Sequence, residues 1–174
     1  MVKMSEELLQ GPIEMFSNGD LDGALADLEG KIKDHAGVPE LHHMWAEFAN
    51  MKNTEAQDDV IAGRKIMKAY KTAMDLDEEN MEYIADFASF ALECRRIPVA
   101  VKEFQRYARR LELEDIPVDE ILFTASRNLV DAIEVIDPTK SNNMVLPWIK
   151  SAIQWSVGGL GYTPEEAAKL LTEE

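Results

Sequence analysis

The chain has 174 residues, of which 33 are acidic and 18 are basic, so its formal net charge is −15. This surplus excludes nucleic acid and anionic membranes as general partners, because both are bound through Lys and Arg. One cysteine excludes an intramolecular disulfide, and without an apolar run of membrane-spanning length or a signal core we expect a cytoplasmic protein.

Apolar side chains recur at helical spacing along the chain, as Leu21, Leu25, Leu28 and Ile32 do. Such spacing puts them on one helix face, and the sequence contains no sustained alternation typical of strands. Gly11-Pro12 could interrupt the first helix. The pattern predicts nine helices joined by short loops, at about residues 4–16, 21–35, 39–52, 57–75, 80–94, 97–113, 117–135 and 141–157, and from 164 onward.

Two of these helices begin with capping signals. Asp20 or Asp22 can cap the second helix, because a short carboxylate accepts hydrogen bonds from the first backbone N–H groups. At the last helix, Thr163 precedes Pro164, and Glu166 follows three residues after Thr163. This order is typical of a capping box, so we expect the last helix to begin at Pro164.

The charge is unevenly distributed. Residues 1–60 carry a net charge of −9, residues 61–112 a net charge of +1 and residues 113–174 a net charge of −7. On the sixth predicted helix, Lys102 and Arg106 are followed by Arg109, which gives a stripe of cations. Such a stripe is either a solvated face or a patch for an acidic partner.

A sequence pattern recurs after 34 residues in the middle of the chain. The pattern Ile-x-x-x-Tyr-x-x-Ala at 66–73 aligns with Ala-x-x-x-Phe-x-x-Tyr at 100–107. Residues 70–80, which exit through Leu-Asp-Glu-Glu-Asn, resemble the end of a tetratricopeptide repeat. Glu78 and Ala88 depart from that family's pattern, which usually has Pro and Gly there. An unrelated helical bundle is the alternative.

The resemblance implies an all-α fold of antiparallel helix pairs, stacked as a short right-handed superhelix with a C-terminal capping helix. Each pair leaves an apolar face that only a neighbour can cover. We therefore expect a single helical-repeat domain over residues 1–174. Residues 19–114 would form the repeat-like core, and residues 115–174 the C-terminal helices and the cap.

Acidic side chains occupy the first helix of each predicted pair, the helix that lines the concave groove of tetratricopeptide proteins. Such proteins commonly bind peptides or helices in this groove. The resemblance therefore implies an interaction module, an adaptor or a chaperone-like protein, that binds a basic protein or peptide. If the register is wrong, these acids are merely exposed. The candidate partner-binding residues are Glu40, His43, Glu47, Glu82, Asp86, Ser89 and Glu93.

No pattern in the sequence indicates an enzyme. His42 and His43 are adjacent and therefore point about 100° apart on a helix. Neither has a second His at the i, i+4 spacing of helical metal sites, so we expect no metal and no cofactor. Cys94 has no His near it in sequence, and the chain carries no serine nucleophile motif.

Two tryptophans, Trp148 and Trp155, lie seven residues apart on the eighth predicted helix, which is apolar around much of its circumference. One interpretation is that the last helix covers this surface as a terminal cap. The other is that the tryptophans form a docking surface. The chain would then be an accessory or structural subunit of an enzyme complex.

Overall fold

Helices make up the regular secondary structure of the residues described in this computed structural model, which are 2–116, 121–125, 127–128, 150, 153–154, 157 and 160–172. The predicted all-α class is confirmed, with successive helices in antiparallel contact. The two helices predicted at 117–135 and 141–157 lie mostly outside the described residues. The helices for which both ends are described are α1 (Val2–Ser17), α2 (Leu21–Asp34), α3 (Pro39–Ala56), α4 (Gly63–Leu76), α5 (Met81–Glu93), α6 (Ile97–Leu113) and α7 (Pro164–Thr172).

Residues 1–87 form one compact unit, in which α2 packs on α1, α3 on α2 and α4 on α3. The core of this unit contains Leu28, Leu41 and Ile66, none of which is exposed to solvent. Each buried side chain of this size contributes about 1.5–3 kcal/mol to folding. Between α1 and α3, the rings of Phe16 and Phe48 stack with centroids 4.7 Å apart. These contacts hold α3 in place, and α3 carries three of the seven predicted binding residues.

The first two helices differ from the prediction at one point. α1 runs through Gly11 and Pro12 as one helix, so the interruption that the sequence left open is absent. Pro12 is fully buried, and burial of its ring offsets the backbone hydrogen bond that proline removes. The predicted cap of α2 is confirmed, since the backbone N–H of Gly23 donates to Asp20 Oδ1 at 2.8 Å.

The connection between α3 and α4 lies further along the chain than predicted. α3 continues to Ala56 and ends at Gln57, whose φ of 51° is left-handed, and α4 begins only at Gly63. The side chain of Asn53 holds this loop at Ile61: its Nδ2 donates to the carbonyl oxygen at 2.7 Å, and its Oδ1 accepts from the N–H at 2.8 Å. The Asn53 amide therefore satisfies both backbone groups of Ile61, which need no partner from a further helical turn.

Residues 88–174 form a second compact unit, which contains α6 and α7. In α6, Ala100, Phe104 and Tyr107 are at most 5% exposed, and their counterparts 34 residues earlier in α4 are at most 6% exposed. The predicted capping box of α7 is confirmed: Thr163 N donates to Glu166 Oε2 at 2.8 Å, and Glu166 N donates to Thr163 Oγ1 at 3.2 Å. Within the described ranges, no helix has the length and apolarity needed to cross a membrane.

Candidate functional site

Helix α3 provides the centre of the site. Pro39 occupies its first turn, where the missing N–H costs nothing, and Leu41, Trp45 and Phe48 face the core. His43 lies on the same buried side and is 8% exposed. A buried imidazole requires hydrogen-bond partners, because an unpaired polar group in a core is costly.

Helix α5 supplies the main partner. Its first turn is capped by Asn80, whose Oδ1 accepts from the backbone N–H of Glu82 at 3.1 Å and from that of Tyr83 at 3.4 Å. Tyr83 is buried, and Asp86 follows it by three residues, which places both on neighbouring positions of one helix face. The cap therefore fixes the start of the helix whose next turn presents Asp86 to α3.

His43 lies between two carboxylates and two aromatic rings. Its Nε2 donates to Asp86 Oδ2 at 2.7 Å, and its Nδ1 is 3.7 Å from Glu47 Oε2 on the next turn of α3. The ring of Tyr83 is tilted against the imidazole at a centroid distance of 4.7 Å, and the ring of Tyr70 meets it edge-on at 5.8 Å. The imidazole thus links α3 to α5 and contacts α4.

The surrounding charges favour the protonated imidazole. Burial alone lowers the pKa of His43, but the hydrogen bond to Asp86 and the negative charges of Glu47, Asp86 and Glu82 act in the opposite direction. The net result is a His43 pKa above its ordinary value of 6.5. Protonated His43 forms a charge-assisted hydrogen bond with Asp86 and an ion pair with Glu47.

The same surroundings hold more negative than positive charge. Burial raises the pKa of Glu47, and the charges of Asp86 and Glu82 raise it further, while His43 lowers it. Burial also raises the pKa of Tyr83 to about 12, with additional effects from nearby acids that include Glu40 and Glu82. Several carboxylates thus face a single imidazole, and one positive charge balances only one of them.

We name Glu40, Glu47, Glu82 and Asp86 the acidic cluster. The structure thus brings four of the seven predicted binding residues around the contacting rings of His43 and Tyr83: Glu47, Glu82 and Asp86 act on the imidazole, and Glu40 acts on the phenol. Glu82 is exposed and Glu40 is half-buried, whereas the side chains of Glu47 and Asp86 are 49% and 39% exposed. Across the described residues, no Lys or Arg forms an ion pair with any member of the acidic cluster.

The remaining predicted residues lie outside the first unit, residues 1–87. Ser89 is half-buried and Glu93 is exposed, and both lie on the part of α5 that belongs to the second unit. Trp148 and Trp155, the predicted alternative docking surface, lie outside the described residues. The sequence analysis did not single out Tyr83 as a site residue. The available signal was its position three residues before Asp86, which puts the two side chains on one face of α5.

His43, Glu47 and Asp86 are also the residues that could hold a metal ion in the described part of the chain, since one donor atom from each lies within 4.8 Å of the others. One nitrogen and two carboxylates suit a divalent transition metal. An ion there would compete with the proton on the imidazole, because metal ligation requires neutral histidine. Chemically, this arrangement can hold a cation between two carboxylates.

A second charged surface lies on α6. Lys102, Arg106, Arg109 and Arg110 line it, together with the exposed Leu113. Glu103 on the same helix is 5% exposed, and its carboxylate lies 3.5 Å from Lys102 Nζ and 3.6 Å from a guanidinium nitrogen of Arg106. The sequence stripe of cations is therefore real, and part of it is balanced within its own helix.

The described fold defines a broad class, the all-helical proteins built of antiparallel helix pairs. The sequence matches no known protein-family model and no curated protein. The functional argument consequently rests on the geometry of the acidic cluster around His43.

Proposed function

We propose that this chain is a non-catalytic interaction module that binds a basic peptide, or a basic helix of a partner protein, through the acidic cluster. One observation carries the proposal: three carboxylates act on one histidine, a fourth acts on the adjoining Tyr83, and none of the four has an ion pair to a Lys or Arg of the described chain. Like charges held together raise the free energy of the unbound protein. A Lys or Arg side chain from a ligand would relieve this repulsion.

The finer architecture also belongs to the proposal. In the matched segments 66–73 and 100–107, the aligned residues of the 34-residue pattern are buried in both helices. This supports stacking of helix pairs in the manner of tetratricopeptide repeats. In such a stack α3 and α5 are first helices, and their acids line the concave side. Partial exposure of Glu47 and Asp86 is the property that a ligand-contacting carboxylate needs.

The test is charge reversal at Glu82, which is exposed and acts on His43 through its charge. Any polycation is attracted to a protein with a net charge of −15. A matched control is therefore needed, and Glu29→Lys on an exposed position of α2 changes the net charge equally. Labelled oligolysine, with oligoglutamate as the negative probe, is titrated by fluorescence polarisation at several salt concentrations.

We expect Glu82→Lys to weaken oligolysine binding by about tenfold, since it removes an attractive charge and adds a repulsive one. Glu29→Lys should weaken binding much less. The slope of affinity against salt should decrease for Glu82→Lys, because fewer ion pairs form. Equal effects of the two reversals would mean that only the net charge matters, and the acidic cluster would then not be the binding site.

A further inference from the structure

We propose that the Nδ1 atom of His43 and the carboxylate of Glu47 form a binding site for a divalent transition-metal ion, in which Asp86 is the outer partner that orients the imidazole. This inference does not depend on the proposed function, because the ligand is a metal ion rather than a basic peptide. It assigns a separate role to each of three side chains whose donor atoms lie within 4.8 Å of one another.

The hydrogen bond to Asp86 determines which nitrogen of His43 is available to a metal ion. A carboxylate can only accept, so the Nε2 atom that lies 2.7 Å from Asp86 Oδ2 carries the hydrogen. In the neutral imidazole the lone pair is then on Nδ1. Histidines that bind metals commonly donate their other ring N–H to a carboxylate, which fixes the tautomer and the orientation of the ring.

The second observation is that Nδ1 lacks a hydrogen bond although the side chain is nine-tenths buried. The His43 side chain is 10% exposed, and its Nδ1 faces Glu47 Oε2 at 3.7 Å, which is beyond hydrogen-bond distance. In the described part of the chain, no other group forms a hydrogen bond with this nitrogen. Two ligand atoms that are each about 2.1 Å from one metal ion lie about 3.4 Å apart at the tetrahedral angle. The observed gap is therefore close to the separation of two ligands of one ion.

Helix α3 and the rings around it hold the two ligands in this arrangement. His43 and Glu47 are four residues apart on α3, so they lie on one face of the helix. The rings of Tyr83 and Tyr70 contact the imidazole at centroid distances of 4.7 Å and 5.8 Å, which restricts its rotation. The Glu47 side chain is 49% exposed, so solvent reaches this ligand and water can complete the coordination of the ion.

The donor atoms favour a transition metal over the hard cations. Imidazole nitrogen suits Zn²⁺, whereas Ca²⁺ and Mg²⁺ prefer ligand sets made of oxygen atoms. Every divalent cation is attracted by a protein with a net charge of −15. A preference for Zn²⁺ over Mg²⁺ therefore separates a metal site from this general attraction.

The test is a titration of the whole chain with Zn²⁺, followed by calorimetry and by long-range ¹H–¹⁵N NMR of the histidine rings. It is carried out at about pH 8, where the proton competes less with the metal for the imidazole. We expect a single Zn²⁺ ion to bind and to shift the Nδ1 signal of His43, while Nε2 keeps its hydrogen. Mg²⁺ at the same concentration should leave the His43 signals unchanged.

Two variants separate the direct ligand from the outer partner. Glu47→Gln should weaken Zn²⁺ binding by more than about a hundredfold, since it removes a ligand. Asp86→Asn should weaken Zn²⁺ binding by only about tenfold, because the amide oxygen still accepts the hydrogen bond from Nε2. Glu47 is partly exposed, so its replacement does not disturb the core.

Glu29→Gln is the matched control for charge, because Glu29 is exposed on α2 and the variant loses the same negative charge as Glu47→Gln. His42→Gln is the control for the ring signals, since a ring nitrogen of His42 pairs with the Ala36 carbonyl instead. Both should bind Zn²⁺ as the wild type does.

Equal weakening by Glu29→Gln and Glu47→Gln, or an equal response to Mg²⁺, would overturn the metal site. A Zn²⁺-induced loss of the hydrogen on Nε2 would overturn the role assigned to Asp86. None of these measurements involves oligolysine, so a failure here leaves the proposed function to its own test.

Discussion

Replacing Asp86 by Asn tests whether His43 is held in its charged form. The variant keeps an oxygen that can accept the hydrogen bond from Nε2, but it removes the negative charge. A hydrogen bond to a charged partner contributes about 1.5–3 kcal/mol. Because the Asp86 side chain is 39% exposed, solvent screening reduces the expected loss of unfolding free energy to about 1 kcal/mol at about pH 6.

The pH dependence gives the sharper criterion. A raised pKa in the folded state means that the contribution of charged His43 is complete below about pH 6.5 and disappears as the pH rises through the folded value. Above the raised pKa, His43 is neutral and the ion-pair part of its interaction with Asp86 is gone, so only the weaker preference of a neutral donor for a carboxylate over an amide remains. The penalty of Asp86→Asn should therefore fall to about half or less of its value at the lower pH.

The assay is urea unfolding followed by circular dichroism at both pH values. Asp75→Asn is the matched control, because Asp75 pairs with Lys71 on exposed turns of α4, where such pairs contribute less than about 0.5 kcal/mol. That variant should show a small loss that does not change with pH. If Asp86→Asn has the same penalty at both pH values, His43 is not the titrating partner and the argument for its charge fails.

Three further variants test other parts of the structure. Asn53→Ala should cost about 1–2 kcal/mol and accelerate proteolysis of residues 57–62, because both hydrogen bonds to Ile61 are lost; uncut protein would contradict this. Leu41→Ala should cost about 2–5 kcal/mol in urea unfolding, since the side chain is fully buried and leaves a cavity; a loss below about 1 kcal/mol would mean that the core closes around the gap. Glu82→Gln should change stability by no more than a few tenths of a kcal/mol, because the repulsion from Glu47 that it relieves offsets the attraction to charged His43 that it removes; a loss above about 1 kcal/mol would contradict this balance.

The sequence predicted the helices well wherever the signal was local. The cap by Asp20 and the capping box from Thr163 follow from short-range hydrogen bonding, and both are present. The α3–α4 connection was misplaced because its position depends on the contact between Asn53 and Ile61. The spacing of apolar residues along the sequence does not reveal that contact. Whether α1 continues through Pro12 was left open by the sequence for a related reason, since the burial of Pro12 depends on tertiary packing.

The site was predictable only as a set of residues on helix faces. Helical spacing places Glu47 one turn after His43, but the contact with Asp86 joins residues 43 positions apart. The repeat pattern placed α3 and α5 on one side and so suggested that their acids share a surface. It carried no information about depth, and therefore could not show that His43 is buried while the carboxylates remain accessible.

Stability and binding should therefore depend on different members of the same cluster. A single carboxylate is enough to satisfy buried His43, and Asp86 fills that role at 2.7 Å. Glu82 repels Glu47 and attracts the imidazolium without a bond to it, so its net contribution to the stability of the fold is small. Loss of Asp86 should weaken the fold most at low pH, whereas loss of Glu82 should weaken ligand binding without weakening the fold. If the acidic cluster had no role in binding, loss of Glu82 would not weaken ligand binding. Measuring both the Asp86 and the Glu82 variants is therefore more informative than measuring either one.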